Sequence, residues 1–598
     1  MARVEFQPSG VQVDVAEGTL IHEAAILAGL HDVELPCGAA GTCGQCLVEI
    51  SDGDAWRRVL ACQTRLRRDV VVRIPENLDT AMQVVGDSSA LLGSDARAEK
   101  LSPLIEARQL TVPPATIEQS YSDWQRVERE LGEPVEPALD VLQALAEAIR
   151  AEDGRITLEV ADGRRAVRVS AGHVETDALA LAVDIGTTTV AAQLVRLSDG
   201  ETLATATSYN QQIRRGADVI SRIDYARTPE RLEELRTLVL ATINGVIAQF
   251  EVDRALIRAA YLAGNTTMTH LLMGLAPRYI RESPYVSTVQ ALAALSAAEL
   301  GLDIAPDAVV RLAPGVGSYV GGDITAGLLC TPLTSNHDDV FWFLDIGTNG
   351  EIVVGNADWL VGCACSAGPA FEGAGIQCGM RATPGAIERV RIAGGKLDYE
   401  VIGGGKPAGV CGSGLICLLG ELFLAEIIDA AGHFHPDAGR SFVIETAANT
   451  AAGVDLVITE SDIENLIRTK AAIYAACLLV LENVGLDWDA VERVYVAGGF
   501  GRNLRIADAV SIGMLPDLAH GKFSYIGNAS LTGARMALLS RETRQKLTET
   551  AARMTYVDLS SDPRYMDRYV QAMFLPHTDV ERFPSVAAKM KSSCLGAI

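Results

Sequence analysis

Leu181-Ala-Val-Asp-Ile-Gly-Thr-Thr-Thr-Val190 returns about 160 residues later as Phe343-Leu-Asp-Ile-Gly-Thr-Asn-Gly-Glu-Ile352. Each copy is an apolar run that enters Asp-Ile-Gly-Thr and leaves into a second run. An acid, a glycine and hydroxyls between apolar runs read as a tight turn between two strands. Two copies at this spacing predict a duplicated domain with a cleft between its halves. From Leu179 onward strands and helical periods alternate, the pattern of layered α/β proteins. The expected fold is multidomain α/β, with residues 179–598 forming two lobes.

The two turns carry the first chemical signal. Backbone N–H groups of such turns cradle phosphate oxygens, and Asp184 and Asp345 at the strand ends can hold a hydrated magnesium ion. A third glycine motif follows, Val494-Tyr-Val-Ala-Gly-Gly-Phe-Gly-Arg-Asn503. One such unit is what tight packing produces in any α/β layer, whereas three in order point to nucleotide.

In order, the three resemble the phosphate-1, phosphate-2 and adenosine motifs of the sugar-kinase, heat-shock-chaperone and actin superfamily, an actin-like, ribonuclease H-like fold. The resemblance implies ATP as ligand. By it, Asp184 and Asp345 organise Mg2+ and the attacking water, and Glu351, just past the second turn, joins them as a catalytic candidate. Gly186 and Gly347 shape the turns, and Thr187, Thr188, Thr348 and Asn349 touch phosphates. Gly498 and Gly499 back the adenine and ribose, with Gly501 in the same motif. Gly321–Gly327 and Cys411–Gly414 fall where the superfamily's connecting helices begin.

Ala263-Gly-Asn-Thr-Thr-Met-Thr-His270 reads as a strand feeding a helix with Asn265 as N-cap; contact with the γ-phosphate is the alternative. His270 has no metal-ligand neighbours in sequence and reads as structural. Cys363 and Cys365 read as small buried residues of a loop, a redox role being the alternative.

Of twelve cysteines, four fall within the first 62 residues and the next is Cys330. Cys37, Cys43, Cys46 and Cys62 form C-x5-C-x2-C-x15-C, with Gly38, Gly41 and Gly44 among the first three. Glycine lets a loop wrap a cluster and aim amides at its sulfurs. Thiolates suit iron-sulfur clusters or zinc, but structural zinc sites favour paired CxxC knuckles and only one CxxC occurs here. Pro36 to Cys46, followed by Leu60-Ala-Cys-Gln-Thr64, resembles the two-iron two-sulfur ferredoxins, with an adrenodoxin-type first gap. Flanking strand and helix signals outline a β-grasp module over 1–85. Arg57, Arg58, Arg65, Arg67 and Arg68 surround Cys62; they read as a solvated charge run or as a steering patch for an acidic redox partner.

Between the ends, 86–113 reads as a linker that lets the first module move. Residues 114–178 read as a small α+β domain, with a helical stretch from Tyr121 to Ile149 and two strands turned by Asp162-Gly163.

Net charge and length bound the rest. With 598 residues and 48% hydrophobic composition the chain has material for several cores. A formal charge of -25 argues against nucleic acid as partner. The first ten residues show no secretory pattern and no apolar run reaches spanning length, so a cytoplasmic protein without membrane segments is expected.

A ferredoxin, a linker, a small middle domain and a duplicated ATPase together resemble the reductive activators of corrinoid proteins. The resemblance rests on the Cys37 loop, Gly216-Ala-Asp-Val-Ile-Ser-Arg222, Ala263-Gly-Asn-Thr-Thr267, the Asp345 turn with Glu351, and Ser366-Ala-Gly-Pro-Ala-Phe-Glu-Gly373. It implies ATP-dependent transfer of one electron from a [2Fe-2S] cluster to a corrinoid protein of a methyltransferase system, returning cob(II)alamin to cob(I)alamin. It also implies an electron donor to the cluster and allows a homodimer. Alternatives are an ATP-driven activator of another low-potential enzyme, a redox-sensing chaperone-like ATPase, and a carbohydrate kinase.

Overall fold

The computed structural model describes residues 2–28, 30, 46–51, 56–74, 101–118, 120–175, 177–335, 338–347, 349–365, 367–373, 375–435, 439–498 and 504–595. Among the expected site residues, Cys37, Cys43, Thr348, Gly499 and Gly501 lie outside the described residues, as do 86–100 of the expected linker.

The N-terminal unit is the expected β-grasp. Its sheet runs Val11–Val15, Ala2–Gln7, Val70–Arg73, Leu47–Ser51, Arg57–Leu60. Ala2–Gln7 pairs with Val70–Arg73 in parallel and the remaining pairs are antiparallel. Alternation drives this sheet: Val4 and Phe6 are buried while Glu5 faces Gln12 across the surface. Ile21 and Ala24 of the helix Ile21–Leu27 close the core together with Leu66.

Ile105–Thr111, which falls in the expected linker, is a strand. It pairs along its whole length with Arg155–Ala161, in a four-stranded sheet with Arg165–Ala171 and Glu136–Pro137. Its apolar alternation is interrupted, Glu106 and Arg108 sharing the half-buried face with Leu110 while Ala107, Gln109 and Thr111 are exposed, and long-range pairing decides the outcome. The predicted helical stretch divides in two, Asp123–Leu131 and Leu139–Ala151, because Gly132 ends the first in a left-handed cap at φ 71°. Asp162 and Gly163 turn the hairpin with φ of 50° and 61°, as their residue types predict.

The duplication is explicit in the strand order. The first lobe has Thr202–Tyr209, Thr189–Arg196, Leu179–Ile185, Ile257–Gly264, Val309–Leu312 and Leu295–Ser296. The second has Leu360–Cys365, Gly350–Gly355, Val340–Ile346, Val491–Ala497 and Phe523–Tyr525 in the same succession, with Met554–Tyr556 added beside Leu360–Cys365. In each lobe the strand carrying the motif aspartate is antiparallel to its successor and parallel to a later strand. Cys363 and Cys365 therefore sit in a strand, not a loop. Both are buried, and burial raises both thiols above the ordinary range, which makes them inert.

Two helices cross between the lobes, Gly322–Leu328 and Ala529–Leu539. They approach through glycine: a Cβ on Gly533 would lie 1.9 Å from the Ala326 carbonyl oxygen. The helix Gly412–Leu424, which begins at the Cys411 motif, instead packs inside the second lobe against Ala386–Ala393. The second connecting helix is Ala529–Leu539. Ser102 and Leu104 amides donate to the Leu539 and Leu538 carbonyls at 3.0 and 2.8 Å, seating the small α+β unit on the first lobe. Buried Arg258 fastens it further, with Nε 3.0 Å from Glu159 and two bonds of 2.7 Å to Asp307.

Candidate functional site: an interlobe carboxylate cleft and a paired-thiol module

In the first lobe the strand ends at Asp184 and the chain turns through Gly186, whose N–H reaches the Thr189 carbonyl at 3.0 Å. A Cβ there would stand 2.5 Å from that same oxygen, so glycine is required. Asn210 braces the turn, its side chain donating to the Gly186 carbonyl at 3.0 Å. Beneath it lies Arg222, fully buried, whose guanidinium donates to the carbonyls of Thr187 (2.5 Å) and Gly216 (3.0 Å) and to Gln212 Oε1 (3.0 Å). Burial lowers its pKa to about 9, so it stays charged at neutral pH. A fixed positive charge thus underlies the turn. Asn265 is the N-cap of Thr266–Met273, accepting from Met268 N–H at 2.9 Å, and its amide donates to Thr187 Oγ1 at 3.0 Å.

His270 is structural: Nδ1 donates to the Thr266 carbonyl at 2.7 Å and Nε2 accepts from Thr288 N–H at 3.0 Å.

The second turn repeats the plan, with Asp345 at the strand end and Gly347 N–H donating to the Asn349 carbonyl at 2.9 Å. Gly498 abuts it, with φ 103°; a Cβ there would fall 2.4 Å from the Ile346 carbonyl oxygen and 2.8 Å from Asp345 Oδ1. Gly498, the first glycine of the third motif, thus stands directly against the second aspartate.

Four carboxyl groups converge where the lobes meet: Asp184, Asp323, Asp345 and Glu351. Glu351 is buried, and the aspartates lie deep in the cleft with part of their surface open to it. Asp184 is held by Asn528 Nδ2 (2.9 Å) and Ser530 Oγ (2.8 Å). Burial raises its pKa above the ordinary carboxylate value, and these two bonds offset that only in part. Asp345 is pushed up to about 7, by burial first and by Asp184 second. Asp323 also rises, from burial and from Asp345 and Asp184, and Glu351 rises well above its ordinary value from burial, Asp323 and Asp345. The charges acting on these last three come from within the set of four carboxyls. Such an oxygen-rich, mutually repelling set suits a hard divalent cation, and Mg2+ bound there would supply charge neutralisation for phosphate oxygens.

Most sequence-predicted cleft residues are brought together, and their hydroxyls differ in use. Thr187 is buried against Asn265, while Thr188 Oγ1 donates across the cleft to Glu372 Oε2 at 2.9 Å. Sequence reasoning missed Asp323, Arg222, Asn528 and Ser530 as site residues. Asp323 stands inside Gly321–Gly327, read only as a helix start; an acid between glycines at a lobe crossing was the available signal.

In the N-terminal unit Cys46 and Cys62 are buried and not disulfide-bonded, with their sulfurs 3.1 Å apart. Two sulfurs on one tetrahedral metal at about 2.3 Å each stand about 3.7 Å apart. The pair thus converges on one position and fits thiolate ligation of a cluster iron. Gln63 Nε2 lies 3.8 Å from Cys62 Sγ, a contact of the kind that tunes potential. Arg57, Arg65, Arg67 and Arg68 are exposed near this pair in sequence.

Fold and site together define a ferredoxin joined to a two-lobed actin-like ATPase. Family models agree along the chain: the 2Fe-2S iron-sulfur cluster binding domain over residues 4–67, the RACo linker region over 94–176, the RACo middle region over 179–336, and the C-terminal domain of RACo, the ASKHA domain, over 339–587. The chain is similar to corrinoid activation enzyme RamQ of Eubacterium limosum, 31% identical over 95% of this chain and 98% of that protein. It is 25% identical to the [Co(II) methylated amine-specific corrinoid protein] reductase of Methanosarcina barkeri, over 63% of this chain and 72% of the relative. A solved structure of a reductive activator for corrinoid, iron-sulfur protein matches 98% of this chain and all of its own, at 42% identity and a TM-score of 0.75. The chain belongs to the RACo family of corrinoid reductive activators. No helix among the described residues is long and apolar enough to cross a membrane.

Proposed function

We propose that this protein couples ATP binding and hydrolysis in the cleft to one-electron reduction of a corrinoid protein's cob(II)alamin to cob(I)alamin. The carrying observation is that a converging thiol pair and an interlobe carboxylate cleft occupy one chain, in the arrangement of its corrinoid-activating relatives. Cys37, Cys43, Cys46 and Cys62 hold a [2Fe-2S] cluster, which supplies the one-electron carrier. A separate donor protein refills it, in the cytoplasm.

The remaining work falls to the chain's own groups. Arg222 fixes the first turn and sets a positive field behind it, and Gly186, Thr188, Gly347, Thr348 and Asn349 line the phosphates. Asn528 and Ser530 hold Asp184 in one rotamer. Asp345, Asp323 and Glu351 would hold Mg2+, which would supply charge neutralisation for the phosphates, and Asp345 would orient the attacking water and accept its proton. Gly498, Gly499 and Gly501 admit the nucleoside. Because the acids come from both lobes and from the connecting helix, they would hold the lobes together around a bound nucleotide and its cation. Closure favours the partner state in which cobalt accepts the electron, and only such differential binding can lift an uphill reduction.

The test is spectral. Reduced protein, a corrinoid protein in its cob(II) state and magnesium-ATP are expected to give cob(I) absorbance. Cys62→Ala, which removes the carrier, and omission of ATP should each abolish it. Cob(II) absorbance that persists in the complete mixture for every corrinoid partner tried refutes the proposal.

A further inference from the structure

One segment of the second lobe, seated on that lobe's core through buried Phe371, Ile376 and Cys378 and held by Gln377 N–H on Asp462 Oδ1 at 2.9 Å, reaches the first lobe. It leaves the strand Leu360–Cys365, makes a short turn at Pro369–Glu372 and returns through Gly379 and Arg381 toward Ala386–Ala393. The segment is clipped at its base: a Cβ on Gly379 would lie 2.3 Å from the Gly373 carbonyl oxygen, and one on Gly373 would lie 2.6 Å from Met380 N. Glu372 and Arg381 flank that clip, so they are carried as one piece. Both reach the same end of the first lobe. Glu372 Oε2 accepts from Thr188 Oγ1 at 2.9 Å, and the Arg381 guanidinium stacks 4.2 Å over the ring of Tyr209, which pairs with Thr189 beside the first turn.

A hydroxyl has one proton to donate. At the first turn that proton points at a carboxylate, and the field of buried Arg222, which senses Glu372, favours an anion there. A phosphate oxygen bound at this turn needs the same donor, and two anions on one hydroxyl repel. We propose that Glu372 is a cross-cleft latch: its carboxylate stands in for nucleotide phosphate on the first turn, and phosphate binding expels it together with Arg381, untying the 369–381 segment from the first lobe while its seat on the second lobe persists. The inference rests on the nucleotide reading of the cleft and adds the element through which occupancy is relayed to the outer face of the second lobe. The latch keeps the empty cleft from presenting its partner-ready surface.

The experiment uses the full chain and calorimetric titration with ADP and with a non-hydrolysable ATP analogue. Glu372→Gln keeps the size and an acceptor but removes the charge; it is expected to bind either nucleotide about threefold to tenfold more tightly, as loss of a competing state demands. Arg381→Ala removes the other strut without touching phosphate and is expected to shift affinity the same way by a smaller factor. In the wild type, amide hydrogen exchange across 369–381 should speed up when nucleotide is added. Unchanged or weaker binding by Glu372→Gln, no gain in Arg381→Ala, or exchange that stays the same or slows overturns the latch. Wild-type protein that binds no nucleotide would instead sink the nucleotide reading itself, and the latch with it.

Discussion

The two lobes carry the same Asp-Ile-Gly-Thr turn on the same strand, yet they treat the aspartate differently. Asp184 is anchored by two side-chain donors, Asn528 and Ser530, from the helix that crosses from the other lobe. Asp345 has burial and like charge acting on it, and its carboxyl is pushed up to about 7. A carboxylate satisfied by protein donors is a structural post, whereas one left short of compensation waits for a cation or a proton. Duplication supplied two matching Asp-Ile-Gly-Thr turns, and their surroundings differ: the first aspartate is anchored, the second is not, which under the proposed function makes the first a positioning group and the second the reacting one.

The sharpest way to break that contrast is to neutralise each acid in turn. Asp345→Asn is expected to lower ATP turnover about a hundredfold or more, since it removes transition-state electrostatics at the reacting centre, while nucleotide binding persists. Asp184→Asn keeps a neutral acceptor toward Asn528 and is expected to act mainly on nucleotide affinity and stability. Steady-state turnover and calorimetric affinity measured on both variants decide the matter. Equal losses of kcat in the two would erase the division of labour.

How much of this was readable beforehand follows from where the determining interactions lie. The β-grasp, the duplication and the turn residues were legible because alternation, glycine and acid placement are local. Ile105–Thr111 was not, because Glu106 and Arg108 on its half-buried face conceal its period and its partner strand begins 44 residues after its own end. The second connecting helix escaped for a related reason: Cys411-Gly-Ser-Gly414 looks like a helix start and is one, but only packing shows that Ala529–Leu539 makes the crossing. Asp323, Asn528 and Ser530 carry no motif of their own. They become site residues by meeting Asp184 and Asp345 from a distance, which no spacing rule encodes. Arg222 stands in the Gly216–Arg222 family motif, and its role under the turn is visible only once its side chain is seen buried.

A second way to sharpen the lobe comparison uses pH. Asp345 holds its proton more tightly in the folded chain than in the unfolded one, where the ordinary value is 3.8. Its contribution to stability is therefore fully present below about pH 4 and is lost as pH rises through about 7. Other carboxylates titrate over the same range, so the informative quantity is the difference between wild type and Asp345→Asn. In metal-free, nucleotide-free protein, thermal unfolding between pH 4.5 and about 8 should show wild type losing ground to the variant as pH rises, and added Mg2+ should shrink the gap. A difference that is flat with pH would mean Asp345 is already compensated within the protein.

The smallest expected effect tests the anchored side. Ser530 is nearly buried, and its hydroxyl is one of the two donors that hold Asp184. Ser530→Ala is expected to lower stability by about 1 kcal/mol in urea unfolding, the usual net worth of one such hydrogen bond. Asp184 keeps Asn528, which also caps the helix Ala529–Leu539 by accepting from Leu531 N–H at 2.9 Å, so turnover should change less than in Asp345→Asn. Asn528→Ala removes both a cap and an anchor and should destabilise more. If Ser530→Ala instead halts turnover while leaving stability intact, Asp184 depends on its second donor for chemistry rather than for position, and the first lobe is as reactive as the second.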